Sequence, residues 1–148
     1  MITLLNHKDL DIAKRMWEVQ IPAYRVEAEM IGFADIPPLR DTPETISASG
    51  ETFIGFMESG ALAGFISYEL EEGTVDICRM VVHPNYFRRG IAKRLLAYVL
   101  DYAAGDRAVS VSTGARNEPA KALYRGFGFV EKEQIEVAPG VSITVFRR

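Results

Sequence analysis

The chain has 148 residues, of which 48% are hydrophobic and 25% are charged, and this composition is typical of one globular domain covering residues 1–148. No apolar run approaches the roughly 18 residues that a membrane span needs, and the formal net charge of -3 argues against duplex nucleic acid as the main partner. The single cysteine, Cys78, excludes an internal disulfide, and the chain starts without a basic and then apolar leader, so we expect a cytoplasmic protein.

The first third of the chain predicts a strand followed by a long helix. Residues 2–5 favour a short strand, and residues 8–31 favour a helix because their apolar side chains recur at helical spacing. Pro22 is expected to kink or divide this helix, because proline removes a backbone donor and clashes with the preceding turn. A proline-rich segment, 36–43, follows, and residues 43–46 are expected to open a short helix.

The middle of the chain predicts three strands in an antiparallel meander. Alternating hydrophobicity favours strands over residues 52–58, 62–70 and 74–83. The segments between them, 59–60 and 71–73, contain glycine and are short. Turns of this length join neighbouring antiparallel strands, so two successive hairpins are expected.

The last part predicts a crossover and a final hairpin. An amphipathic helix is expected over residues 90–104 and a strand over 108–113, and the strands on either side of such a helix are parallel in a right-handed crossover. A short helix over 118–125 and two strands near 130–137 and 141–146 complete the chain. The predicted fold class is therefore α/β, with a mixed sheet flanked by helices.

The junction between the meander and the long helix carries a pattern suited to phosphate binding. An apolar strand runs into a basic turn that contains Gly90, and the helix begins directly afterwards. Unpaired amides and the helix dipole favour an anion at such a helix start, and a pyrophosphate fits it. Arg88, Arg89 and Lys93 would add charge-assisted hydrogen bonds, and the small Ala92 would permit close approach. A solvated basic helix start is the alternative that this local pattern leaves open.

This junction resembles motif A of the GNAT superfamily of N-acetyltransferases, Q/R-x-x-G-x-G/A. The run Phe87-Arg88-Arg89-Gly90-Ile91-Ala92 matches the motif at Gly90 and Ala92. Phe87 stands where the family usually has Gln or Arg, which puts a side-chain contribution from this position in doubt. The backbone amides of the turn are unaffected by that change.

A second segment, 109–129, resembles motif B of the same family. Its marks are Asn117 after a strand and the helix end Ala122-Leu123-Tyr124, followed by Gly128-Phe129. Both motifs occur in the family's order. The resemblance implies the GNAT fold, in which a mostly antiparallel sheet contains one parallel pair formed by the fourth and fifth strands.

The resemblance also implies that acetyl-CoA is the acetyl donor and lies where the fourth and fifth strands separate. The implied contacts to its pantetheine arm come from the backbone of Met80, Val81 and Val82. The implied contacts to its pyrophosphate come from the amides of Arg88, Arg89, Gly90, Ile91, Ala92 and Lys93. Asn117 is an implied contact to the pantetheine or phosphate side of the cofactor, Tyr124 is an implied contact at its thiol end, and no metal is implied.

Two residues are hypothesised to move protons. The resemblance implies that Tyr124 is the general acid for the leaving CoA thiolate, although a Tyr before a glycine and phenylalanine run is also compatible with the core. Asp76 is the hypothesised base, because it lies on the fourth strand where family members carry a catalytic glutamate. A solvent-exposed charge at the strand end is the alternative, and Glu69 and Glu71 are rival bases. Strict alternation predicts that Asp76, Cys78, Met80 and Val82 share one face of the sheet.

The acceptor implied by the resemblance is a primary amine of a small molecule or peptide. Residues Tyr24, Phe33, Asp35, Asp41 and Glu44 are candidates for its recognition, although an ordinary solvated loop is an equal alternative. A non-catalytic acetyl-CoA-binding regulatory module is the alternative function, and a homodimer through the last hairpin remains open. Cys78 is expected to be a small buried residue and Trp17 to belong to the core.

Overall fold

The computed structural model describes all 148 residues and contains seven strands and four α-helices. The strands are β1 (Ile2–Leu4), β2 (Thr52–Glu58), β3 (Ala61–Glu71), β4 (Thr74–Val82), β5 (Val109–Gly114), β6 (Val130–Ala138) and β7 (Val141–Arg147). The helices are α1 (Leu10–Ile31), α2 (Pro43–Ala48), α3 (Ile91–Val99) and α4 (Glu118–Gly126). None of these helices is both long and apolar enough to cross a membrane.

The strands form one mixed sheet in the order β1-β2-β3-β4-β5-β7-β6. β4 and β5 are parallel, and all other neighbours are antiparallel, which confirms the predicted meander and the predicted α/β fold class. The sheet separates two hydrophobic cores. α3 and α4 cover one face, called here the α3 face, and α1 and α2 cover the other, called the α1 face.

Helix α1 is continuous, and Pro22 lies inside it without dividing it. Asp9 caps its start with a carboxylate that accepts a hydrogen bond from the first turn, and Gly32, at φ 70°, ends it. The prediction of a division at Pro22 is therefore wrong. A proline inside a helix costs roughly 3 kcal/mol, and the apolar stripe that α1 buries against the sheet offsets this cost.

The end of α3 differs slightly from the single α-helix predicted over residues 90–104. After Val99 the chain continues as one turn of π-helix, Leu100–Ala104, and leaves it at Gly105. The predicted helical extent is confirmed. Only the last turn differs, because it has the i→i+5 hydrogen bonds of a π-helix in place of the α-helical pattern.

A bulge in β4 at Cys78 interrupts the alternation of its side chains. The Cα pairing with β3 passes from Tyr68–Ile77 to Ser67–Arg79, which leaves Cys78 without a partner. A bulge of this kind adds one residue to one strand, so the side chains beyond it change face relative to strict alternation.

The predicted grouping of Asp76 with Met80 and Val82 is wrong for this reason. Met80 and Val82 pack on the α3 face together with Val75 and Ile77. Asp76 lies between Val75 and Ile77 in the regular part of β4 and therefore points to the α1 face.

Candidate active site

The parallel strands β4 and β5 separate after a short paired segment. They pair at three positions, of which the last is Ile77 with Val111. Beyond it β4 continues to Val82 and β5 continues to Gly114 without pairing with each other. We call this opening the β4–β5 fork. Crevices beyond the carboxyl ends of sheet strands are common ligand sites.

The separated part of β4 presents backbone groups to the fork. On its other side β4 remains paired with β3 as far as Val82. The His83 amide donates to the Ala63 carbonyl at 2.8 Å, so alternation turns the amides and carbonyls of Val82 and Met80 away from β3 and toward the fork. An extended ligand in the fork could therefore pair with β4 as an additional strand would.

The start of α3 is rich in unpaired backbone donors. The six consecutive amides from Arg88 to Lys93 donate no hydrogen bond to any group of the chain. Arg88 and Gly90 have φ angles of 65° and 74°, so the turn before the helix is tight. Successive amides in such turns form a concavity that binds anions, and the dipole of α3 adds to its positive potential.

The basic side chains of this turn take different directions. Arg89 Nη1 lies 3.1 Å from Glu58 Oε2, and its guanidinium stands 5.1 Å from the centroid of the Tyr86 ring. Arg88 and Lys93 belong to none of the salt bridges in the chain. Of the three predicted phosphate-binding cations, these two remain unpaired.

Tyr124 is buried on the α3 face, with 3% of its surface exposed. Its ring centroid lies 5.7 Å from that of Phe129 and 5.9 Å from that of Phe146. Burial, and then the nearby Glu27 carboxylate, raise the pKa of its hydroxyl far above the ordinary value. The phenol therefore keeps its proton at neutral pH, as a proton donor must.

Asn117 joins α4 to a carboxylate of α1. Its Oδ1 accepts from the Ala120 amide at 3.2 Å and caps α4, while its Nδ2 donates to Glu27 Oε1 at 3.0 Å. The same Glu27 oxygen accepts from Thr113 Oγ1 at 3.3 Å. The side chain predicted to contact a cofactor thus also fixes the β5 side of the fork.

Asp76 lies at the base of the fork, one position before the last β4–β5 pair. Its Oδ1 accepts from Ser110 Oγ at 2.8 Å, and its partner on β3 is Glu69. Partial desolvation, and then the carboxylates of Glu51, Glu71 and Asp76, raise the pKa of Glu69 above its ordinary value. The structure therefore brings Asp76 and both of its rivals, Glu69 and Glu71, close to one another, with Glu71 on the exposed side.

A polar network centred on Arg79 lines the α1 face beside the fork. Its guanidinium lies 3.2 Å from Glu51 and 3.3 Å from Asp41, and it donates to Gln20 Oε1 at 3.1 Å. The fully buried Gln20 donates in turn to Asp41 at 2.7 Å, and Ser67 donates to Glu51 at 2.6 Å. The network therefore holds two carboxylates against one cation and carries a net negative charge.

Cys78 is exposed, so the prediction that it is buried is wrong. The bulge removes it from the ladder and turns its sulfur toward the carboxylates of Glu51 and Glu69, all within 4.8 Å of one another. Desolvation and these carboxylates raise the pKa of the thiol to about 12. The thiol is therefore protonated at neutral pH and is a poor nucleophile.

The residues predicted for acceptor recognition are spread over the α1 side. Asp41 belongs to the Arg79 network, and Tyr24 is buried in the α1-face core. Phe33 packs against this core, whereas Asp35 forms an exposed ion pair and Glu44 lies on the surface. Only Tyr24 and Asp41 are thus placed close to the groups that face the fork.

Sequence reasoning missed Gln20, Glu27 and Glu51. Gln20, Tyr24 and Glu27 recur at helical spacing on the face that α1 turns toward the sheet. Polar residues within an otherwise apolar stripe were a signal that this face adjoins a polar site. Glu51 precedes β2 and carried no such signal, because only the fold brings it to Arg79 and Ser67.

The fold and the site together define an α/β protein of the acetyltransferase class. The mixed sheet, the fork between its parallel strands and the amide-rich start of α3 are the defining features. Residues 13–129, more than half of the chain, match the model of the acetyltransferase (GNAT) family. The chain belongs to the GNAT family of acetyltransferases.

Two curated relatives and two solved structures show the range of similarity. UPF0157 protein YqkA of Bacillus subtilis is 43% identical over 146 residues, which are 99% of the chain and 43% of that protein. N-alpha-acetyltransferase RimI of Mycobacterium tuberculosis is 37% identical over 81 residues, which are 55% of the chain and 48% of RimI. The chain spans less than half the length of these two relatives.

The solved structures share the fold at low identity. The ribosomal-protein-S18-alanine N-acetyltransferase from Escherichia coli has a TM-score of 0.77 at 19% identity, over 99% of the chain and 91% of that structure. The PaiA N-acetyltransferase from Thermoplasma acidophilum, solved with coenzyme A, has a TM-score of 0.72 at 17% identity, over 98% of the chain and 96% of that structure. At these identities the similarity establishes the fold alone.

Proposed function

We propose that this chain is an acetyl-CoA-dependent N-acetyltransferase that transfers the acetyl group directly to a primary amine in a ternary complex. The observation that carries the proposal is the combination of an open β4 edge and six unpaired amides at the start of α3. The first suits an extended pantetheine arm and the second suits a pyrophosphate. The relative solved with coenzyme A supports this choice of donor.

The residues present fit such a donor. A Cβ added to Gly90 would meet no atom within 4 Å, so the approach to the amides is open. We assign the pantetheine contacts to the β4 segment Met80 to Val82, through the backbone groups of Met80 and Val82 that face the fork, whereas Val81 pairs with Phe65 of β3. We assign the pyrophosphate contacts to the amides of Arg88, Arg89, Gly90, Ile91, Ala92 and Lys93. Asn117 would contact the pantetheine or phosphate side of the donor, and Tyr124 would adjoin its thiol.

The proposed chemistry needs one proton acceptor and one proton donor. An alkylamine with a pKa of about 10.4 is mostly protonated at neutral pH and must lose a proton before it attacks. Asp76 is the proposed base, directly or through a water, and Glu69 is its rival. Acetyl-CoA supplies the thioester carbon, to which the nitrogen bonds as the C–S bond breaks. Tyr124 then donates its proton to the departing sulfur, and the second proton that the nitrogen loses as the amide forms restores the phenol.

The acceptor is proposed to be a small-molecule or peptide amine. The surplus of carboxylates on the α1 face, among them Glu51, Glu69 and Asp76, favours a cationic group. The names of RimI and of the S18-alanine enzyme make a peptide N-terminus one candidate. Polyamines, aminoglycosides and amino acids are the small-molecule candidates.

Calorimetry with acetyl-CoA, followed by an assay of thiol release with these amines, tests the proposal. Wild-type protein should bind acetyl-CoA, and the double variant Arg88→Ala/Lys93→Ala should bind it about tenfold more weakly, since two phosphate contacts are lost. The exposed Lys132→Ala is the matched control and should not change the affinity. Absence of binding in the wild type would overturn the choice of donor. Binding without release for any amine would favour the non-catalytic module.

A further inference from the structure

Glu27 is a carboxylate at the fork without a cationic partner. It is half-buried and takes part in none of the salt bridges of the chain. The Oε1 atom of Glu27 accepts hydrogen bonds from Thr113 and Asn117, whereas its Oε2 atom accepts none from the chain. A carboxylate partly removed from water is ordinarily compensated by a cation, and here the protein supplies none.

The position of Glu27 places this unbonded oxygen beside the proposed chemistry. Thr113 lies on β5 beyond its last pair with β4, and Asn117 begins α4. Glu27 lies on α1, so its side chain links α1 to β5 and to the start of α4 on the β5 side of the fork. Its negative charge also helps to raise the pKa of the Tyr124 hydroxyl.

The charges around the fork favour a cation next to Glu27. The unpaired amides and free cations that suit phosphates lie at the start of α3. On the α1 side, Arg79 is already balanced by Asp41 and Glu51, so it leaves no positive charge to offset Glu27. A cationic ligand that enters from the α1 side would therefore supply the missing charge.

We propose that Glu27 receives the ammonium group of the acceptor and makes the protein selective for cationic amines. This inference rests on the proposed transferase function and adds a specificity-determining residue to it. Thr113 and Asn117 hold Oε1, which fixes the direction of the carboxylate, and Oε2 accepts a charge-assisted hydrogen bond from the acceptor. Proton removal remains assigned to Asp76.

The variant Glu27→Gln isolates the charge of this carboxylate. An amide retains one carbonyl oxygen, so it can still accept from Thr113 and Asn117, and the fold should be unaffected. Glu29→Gln is the matched control, because Glu29 lies on the same helix, is exposed and has the same chemistry. The probe amines are 1,4-diaminobutane and a short peptide with a free N-terminus.

The expected result is a KM for the probe amine at least tenfold higher in Glu27→Gln, with kcat and the Kd for acetyl-CoA changed less than twofold. Glu29→Gln should match the wild type in all three. An unchanged KM for both amines, or a fall in kcat alone, would overturn the role in recognition.

If the wild type binds acetyl-CoA but acetylates neither amine, the inference is tested by calorimetry of 1,4-diaminobutane binding to the complex of the protein with CoA. Tenfold weaker binding by Glu27→Gln supports the inference, and no binding by the wild type overturns it. A wild type that does not bind acetyl-CoA overturns the transferase function as well.

Discussion

At the residue scale, Tyr124 and Asp76 have different surroundings that suit different proton transfers. Tyr124 is enclosed by the rings of Phe129 and Phe146, and this burial keeps its phenol neutral. Asp76 is half-buried, and the hydroxyl of Ser110 fixes the direction of its carboxylate at the base of the fork. These surroundings are compatible with the proposed roles of Tyr124 as proton donor and Asp76 as proton acceptor.

The variant Tyr124→Phe removes the hydroxyl and keeps the ring between its aromatic neighbours. We expect kcat to fall about 10- to 100-fold, because a general acid typically contributes this much or more. The free energy of unfolding should change by no more than about 1 kcal/mol, since the packing is preserved. Steady-state kinetics and urea unfolding measure the two effects, and full activity would remove Tyr124 from the mechanism.

The variant Asp76→Asn should lower kcat about 10- to 100-fold and leave the affinity for acetyl-CoA unchanged. The loss should be largest at low pH, where the acceptor amine is most protonated and a base is most needed. A pH profile of kcat for Asp76→Asn, Glu69→Gln and the wild type measures it. A larger loss in Glu69→Gln would transfer the role of base to Glu69, whose raised pKa suits it.

At the element scale, β4 determines the site, because it pairs on one side and is open on the other. The bulge at Cys78 turns Met80 and Val82 to the α3 face, and their backbone groups to the fork. The close approach of β3 to β4 depends on Gly64, where an added Cβ would lie 2.6 Å from the Val81 carbonyl oxygen. The geometry of the open edge therefore depends on a residue of the neighbouring strand.

The variant Gly64→Ala should destabilise the protein by about 1–3 kcal/mol, because backbone atoms of β4 must move to admit the methyl group. It should also weaken acetyl-CoA binding, since the displaced carbonyl belongs to the strand that borders the fork. Gly50→Ala is the control, because a Cβ there would meet no atom within 4 Å. Urea midpoints and calorimetry compare the two variants, and equal stability would contradict the expected clash.

At the scale of the whole molecule, two cores on opposite faces of the sheet each bury a tyrosine near the fork. Tyr24 lies in the α1-face core and Tyr124 in the α3-face core. Burial is the main cause that raises the pKa of both hydroxyls far above the ordinary value of 10.0. Folding therefore favours the neutral phenols, whereas in the unfolded chain both titrate normally.

This difference predicts a loss of stability in alkaline solution. Below about pH 10 both phenols are neutral in the folded and the unfolded state, so their contribution to the free energy of unfolding is constant. Above that pH only the unfolded state releases protons. The free energy of unfolding should then fall by about 1.4 kcal/mol per pH unit for each tyrosine. Urea unfolding between about pH 9 and 11 measures the slope. The double variant Tyr24→Phe/Tyr124→Phe should flatten it, and Tyr102→Phe, at an exposed position, should not.

The order of elements could be predicted from the sequence because local patterns encode it. Alternating and helical hydrophobic periods and glycine-containing turns predicted the meander, the crossover and the last hairpin. The two motifs around Gly90 and Asn117 placed the candidate site at the start of α3 and α4. A division at Pro22 and the burial of Cys78 were predicted wrongly, because packing against the sheet overrides the local preference of one residue and a bulge leaves no periodic signal.

The sequence by itself determined the fold class, the family and the segments that border the site, since each depends on residues close together in the chain. Only the tertiary structure decided which side chains meet at the fork. Glu27 reaches Asn117 across 90 positions, and Arg79 reaches Gln20 across 59. Such contacts have no local pattern, because they exist only when α1 packs across the sheet and β4 and β5 separate beneath it.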